Sequence, residues 1–141
     1  MSSRHRPDDL QQLARVPLFS ARNDRVLAQV DRLLERYDAK SGEVMVRQGE
    51  VGHELYVLVD GTAAVSRDGV AVAVLEPGQW FGELAVLEGG TRDATVTMTS
   101  AGRVLVVQQR ELFALLETAP AVARRLLVGL ARRLHEADLL S

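Results

Sequence analysis

Val65-Ser66-Arg67-Asp68-Gly69-Val70-Ala71-Val72-Ala73-Val74 decides how this chain is read. Asp68-Gly69 between two valine-bearing runs is a hairpin signal, because a two-residue turn needs positive φ and these residues accept it. Val70, Val72 and Val74 alternate with Ala71 and Ala73, as Ala94, Val96 and Met98 alternate with Thr95, Thr97 and Thr99. A period of two predicts a roll or barrel of strands with one face inward.

Outward from that hairpin, residues 42–108 keep the same texture of short Val, Leu, Thr and Ala runs broken by Gly, Pro and Asp. Strands are predicted near 43–47, 54–59, 62–66, 70–75, 79–83, 94–99 and 103–108, with turns at Asp60-Gly61 and Pro77-Gly78. Val26, Leu27, Val30, Leu33, Leu34 and Tyr37 recur at helical spacing behind Asn23 and Asp24, which predicts an amphipathic helix over 24–37. Before it, residues 6–19 read as a short helical or irregular arm whose Leu18 and Phe19 tuck under the core. After Gln109, Leu112, Phe113, Leu115 and Leu116 mark one helix, and Pro120 suits the first turn of another running to about Leu139. Leu126, Leu127, Leu130, Ala131 and Leu134 give that last helix an apolar stripe, readable as core or as a dimer seam, with Arg124, Arg125, Arg132 and Arg133 off it.

The stretch Gly82 to Thr95 carries the chemistry. Leu84 to Leu87 fit a single helical turn whose unpaired N–H groups face an anion, and Arg92 offers a planar, permanently charged fork suited to phosphate. Glu83 would repel the same phosphate, so its natural partner is a donor such as a sugar hydroxyl. Taken alone, Glu83 and Arg92 read equally as a surface ion pair across a loop.

Composition narrows the alternatives. The 141 residues suit one domain, and 17 basic against 19 acidic residues leave a net charge of −2, without the footprint of a nucleic-acid binder. With no cysteine there are no disulfides or thiolate metal sites, which fits a reducing, cytoplasmic setting. His5, His53 and His135 lack metal-ligand spacing, no nucleophile and base are paired, and no secretory signal or membrane span is read. Arginine-rich, lysine-poor usage suits a bacterial source of high GC content.

Val16-Pro17-Leu18-Phe19-Ser20, Gly42-Glu43-Val44, Gln48-Gly49-Glu50, Glu54-Leu55-Tyr56, Phe81-Gly82-Glu83-Leu84-Ala85 and Arg92-Asp93-Ala94-Thr95 follow one another in an order and spacing that resemble the cyclic-nucleotide-binding domain family. The resemblance covers residues 16–135. It implies an α+β fold in which a jelly-roll-like antiparallel β-roll (about 42–108) is flanked by an N-terminal helix and two C-terminal helices (about 110–140). The domain would occupy 16–141 behind an arm of 1–15. The implied ligand is a 3′,5′-cyclic mononucleotide, cyclic AMP ahead of cyclic GMP, with no further cofactor. Glu83 matches the ribose 2′-hydroxyl acceptor, Arg92 the phosphate ligand, and Leu84 and Ala85 the backbone amides facing the phosphate. Gly82 matches the glycine that lets the chain approach the sugar, and Ala94 closes the cassette. Binding would be reported by the C-terminal helices, whose residues near Leu134, His135, Leu139 or Leu140 would reach the purine, and partners would be a second copy or an effector domain through the last helix.

Asp93 departs from the small residue usual after the arginine. A carboxylate ~6 Å from the phosphate costs roughly 3 kcal/mol at an effective dielectric near 20, against about 4 kcal/mol gained from Arg92 at ~4 Å. Three orientations follow: toward the phosphate, which is the expected one and makes Asp93 a ligand-binding residue because it adjoins the arginine that holds the phosphate; outward onto an arginine such as Arg103; or onto the N–H groups of a guanine. If the pocket is spoiled, the alternative is a nucleotide-independent interaction domain.

Overall fold

The structure, a computed structural model, describes residues 16–19 and 24–140, excepting the side chains of Asp24, Leu84 and 137–140. Its elements are α1 (Asp24–Asp31), β1 (Glu35–Ala39), β2 (Val44–Val46), β3 (Glu54–Asp60), β4 (Ala63–Arg67), β5 (Val70–Leu75), β6 (Trp80–Phe81), α2 (Glu83–Glu88), β7 (Thr95–Met98), β8 (Gly102–Gln108), α3 (Gln109–Thr118) and α4 (Pro120–Leu140). The strands form two antiparallel four-stranded sheets, ordered β1-β8-β3-β6 and β2-β7-β4-β5. This is the expected β-roll with helices at both ends.

Two apolar clusters hold it. Inside the roll, Tyr56, Leu58, Phe81, Val104 and Val106 of one sheet meet Val46, Ala63, Leu75, Val96 and Met98 of the other. On the outer face of the first sheet, Leu55, Val57, Leu105 and Val107 pack against Leu27, Val30, Leu112, Leu115, Val122 and Leu126 of the helices. Neighbouring residues of β3 and β8 thus enter opposite clusters, which explains why both strands are almost continuously apolar. Leu18 and Phe19 are buried in the outer cluster, as expected for the end of the arm; residues 6–15, Asn23 and Ser20 lie outside the described residues.

Four expectations are corrected. The helix predicted over 24–37 ends at Asp31, and Glu35–Ala39 is an eighth strand paired along β8. Asp31 turns the chain by a buried ion pair with Arg36, 2.5 Å away, and Tyr37 is a strand residue whose spacing from Leu34 only mimics a helical turn. The strand predicted over 79–83 is only Trp80–Phe81, because Gly82 adopts φ 86° and starts α2 at Glu83. In β5 every residue from Val70 to Val74 is exposed, so neither face of this edge strand is covered, whereas Ala94, Val96 and Met98 are buried as expected. Of the predicted stripe on α4, Leu126 is buried and Leu130 half-buried, while Leu127 and Leu134 are each 66% exposed. Leu127 follows Leu126 by about 100° around the helix, so one strip of core cannot cover both.

Candidate functional site

Arg92 is 6% exposed, a position that a guanidinium takes only when its surroundings are built for it. Its backbone is clamped from both sides by the loop after β2: Arg92 N–H donates to the Glu50 carbonyl and its carbonyl accepts from Gly49, both at 2.8 Å. A bridge between Val51 and Thr91 continues that pairing. The side chain then runs inward. Nη1 donates to the carbonyls of Glu54 (3.0 Å) and Gly82 (3.1 Å), Nη2 lies 3.9 Å from the Glu54 carboxylate, and the guanidinium sits 5.7 Å from the centre of the Tyr56 ring.

Two glycines make room for it. A Cβ on Gly52 would stand 1.9 Å from Arg92 Nε and 2.1 Å from Cζ, and one on Gly82 would stand 2.6 Å from Nη1. Gly82 is read from the sequence; Gly52 is not, since nothing in Val51-Gly52-His53 signals that a side chain from residue 92 will cross it. Tyr56 stacks on Phe81 with ring centroids 5.0 Å apart, and burial, reinforced by the Glu54 carboxylate, pushes its hydroxyl up to about 12.

Glu83, Leu84 and Ala85 open α2 behind Gly82, and no side chain caps this helix start. Ala85 and Ala94 are buried. The Glu83 carboxylate is buried too and is engaged by α4: Arg133 Nη1 donates to Glu83 Oε1 at 2.5 Å, and Nη2 donates to the Trp80 carbonyl at 2.5 Å. The same guanidinium lies 3.8 Å over the Trp80 ring, and Gly129 lets that ring approach, since a Cβ there would meet it at 2.5 Å. Arg133 is therefore a site residue that helical periodicity hides, because it reads as one of four arginines off the apolar stripe. His135 is exposed on α4.

Contrary to expectation, Asp93 does not face the phosphate position; it turns outward, because Arg67 rather than Arg103 reaches it: Arg67 Nη2 lies 3.4 Å from Asp93 Oδ2 and Nε donates to the Asp93 carbonyl at 3.1 Å. Arg103 is held by Asp38 across the β1–β8 pair. Among the described residues no cluster of three or more metal-binding side chains occurs, and no helix is long and apolar enough to cross a membrane.

A β-roll that buries one arginine beside a glycine-started helix and engages its acid from the C-terminal helix defines a catabolite-activator-like ligand-sensor class. The chain belongs to the cyclic nucleotide-binding domain family, whose sequence model matches residues 37–119. It is 34% identical over 103 residues to the cyclic AMP receptor protein of Thermus thermophilus, covering 70% of this chain and 48% of that protein. It is 31% identical over 113 residues to a cyclic nucleotide-gated potassium channel of Mesorhizobium japonicum, covering 80% of this chain and 31% of the channel. The crystal structure of Thermus thermophilus catabolite activator protein superposes with a TM-score of 0.79 at 31% identity, covering 87% of this chain and 60% of that one. The chain thus spans less than half the length of these two curated relatives.

Proposed function

We propose that this domain binds a 3′,5′-cyclic nucleotide, cyclic AMP in the first place, and reports occupancy through α4 without catalysing a reaction. The observation that carries this reading is the buried Arg92, held by backbone carbonyls between two glycines and facing one carboxylate only at 3.9 Å. A buried cation without a close counter-ion is costly, and the cyclic phosphate supplies the missing charge. Glu83, at the start of α2, accepts the ribose 2′-hydroxyl, and the amides of Leu84 and Ala85 face the phosphate.

Because Arg133 already holds Glu83, a ribose arriving at that carboxylate meets α4 directly. Binding is thereby felt by the helix through one shared acceptor. The outward turn of Asp93 supports a working pocket over a spoiled one. The output then belongs to whatever α4 is joined to or packs against, a second copy or an effector domain.

Calorimetric titration with cyclic AMP and cyclic GMP tests this. Arg92→Ala is expected to cost about 2–5 kcal/mol of binding, the loss of a buried charge-assisted partner, with circular dichroism unchanged. Equal affinity in the variant would remove Arg92 from the site.

A further inference from the structure

The nucleotide reading leaves Arg67 without a role, although it is the residue that contacts the one atypical member of the cassette. The register of β4 on β7 pairs Ser66 with Thr95, so the next residue of β4 falls beside Ala94 and within reach of Asp93. Arg67 takes both of the available acceptors there, the Asp93 carbonyl through Nε and the carboxylate through Nη2. Its own neighbour does not compete: the Asp68 carboxylate accepts from Gln48 Nε2 at 2.8 Å, and the Asp68 amide donates to Gln48 Oε1 at 2.8 Å. That reciprocal amide contact ties the β4–β5 turn to the loop that clamps the Arg92 backbone, so Arg67 is presented from a fixed base.

We infer that Arg67 is a positioning residue for nucleotide binding, which holds the Asp93 carboxylate away from the phosphate that Arg92 receives; this rests on the cyclic-nucleotide reading of the site. Both side chains are more than half exposed, at 52% and 59%, and an exposed pair of this kind adds little to folding. Its effect lies in direction. Asp93 follows Arg92 directly in the chain, so once released its carboxylate adds a like charge beside the phosphate, and a unit charge at ~6–8 Å in a dielectric of ~40–80 costs about two- to tenfold in affinity.

A double-mutant cycle in cyclic AMP affinity tests this, titrating wild type, Arg67→Ala, Asp93→Ala and the double variant by calorimetry at physiological salt. Arg67→Ala is expected to weaken binding about two- to tenfold, and Arg67→Lys, which keeps the charge, to weaken it less. Asp93→Ala is expected to tighten binding by several-fold when Arg67 is already absent and by about twofold or less when it is present. A purely structural role for Arg67 would weaken binding by the same factor in both backgrounds, and that additivity overturns the inference, as does an unchanged affinity in Arg67→Ala. Wild type that binds neither cyclic AMP nor cyclic GMP overturns the functional reading itself. Wild type that binds and fails to bind as Arg92→Ala keeps that reading standing whatever the cycle shows.

Discussion

Gly52 shows how far a single residue can matter without announcing itself. Its backbone is not left-handed, so the helix and strand rules that flag Gly82 at φ 86° say nothing about it. What it supplies is the absence of a Cβ under the Arg92 guanidinium, a contact between residues 40 positions apart that only the folded chain creates. Gly52→Ala is therefore expected to displace Arg92, destabilise the domain by about 1–3 kcal/mol as overpacking does, and weaken cyclic AMP binding nearly as much as Arg92→Ala. Thermal denaturation and calorimetry check the two effects separately; retention of wild-type affinity would show that Arg92 tolerates a different path. Gly82, Glu83 and Arg92 were legible because local chemistry selects them: a turn glycine, an acceptor and a planar cation within one short cassette. Asp93 was legible as an anomaly only. Its direction depends on Arg67, which reaches it through strand pairing rather than sequence proximity.

Elements were read well where period and punctuation agreed. Asp68-Gly69 fixed β4 and β5, and Pro120 fixed the start of α4. Reading failed at β1, whose sequence Glu-Arg-Tyr-Asp-Ala carries only Tyr37 and Ala39 as apolar residues and buries a charged one, Arg36, against Asp31; its pairing along β8 holds it in place, and no run of apolar residues signals that. Amphipathicity misled at α4 as well, where apolar residues continue beyond the face that meets the core. The consequential contact of that helix is polar. Arg133 joins α4 to Glu83 and Trp80, and a part-buried ion pair with cation–π stacking contributes about 1 kcal/mol or somewhat more. Arg133→Ala is expected to speed amide exchange in the second half of α4 by roughly fivefold or more, the equivalent of that energy, and to leave α3 unchanged. Glu83→Gln keeps an acceptor but loses the charge, so it should shift the same amides by less. If exchange in α4 stays at the wild-type rate in both variants, the helix is held by packing at Val122 and Leu126 alone.

At the scale of the whole molecule, the interior of the roll couples the site to stability through Tyr56. This side chain belongs to the inner cluster, stacks on Phe81 and lies under Arg92. Burial raises its hydroxyl from 10.0 to about 12, the Glu54 carboxylate adds to the rise, and Arg92 opposes it. Tyr37 is raised as well, chiefly through its hydrogen bond to Glu43, whose own carboxyl is correspondingly lowered. A phenol whose folded value lies above its unfolded value keeps its proton in the native state after the unfolded chain has released it. Stability is then fully present below pH 10 and falls as pH rises from about 10 toward 12. Tyr37 and Tyr56 are the two tyrosines of the chain, so both of its phenols are raised in the same direction. Denaturant unfolding at pH 9, 10 and 11 is expected to show little loss for wild type up to pH 10 and a clear loss by pH 11. Tyr56→Phe keeps the ring and removes the hydroxyl, so its loss should be shallower, with the remaining slope belonging to Tyr37. An identical alkaline slope in Tyr56→Phe would mean that the hydroxyl reaches solvent, and that the space under Arg92 is wetter than the packing of Tyr56 on Phe81 implies.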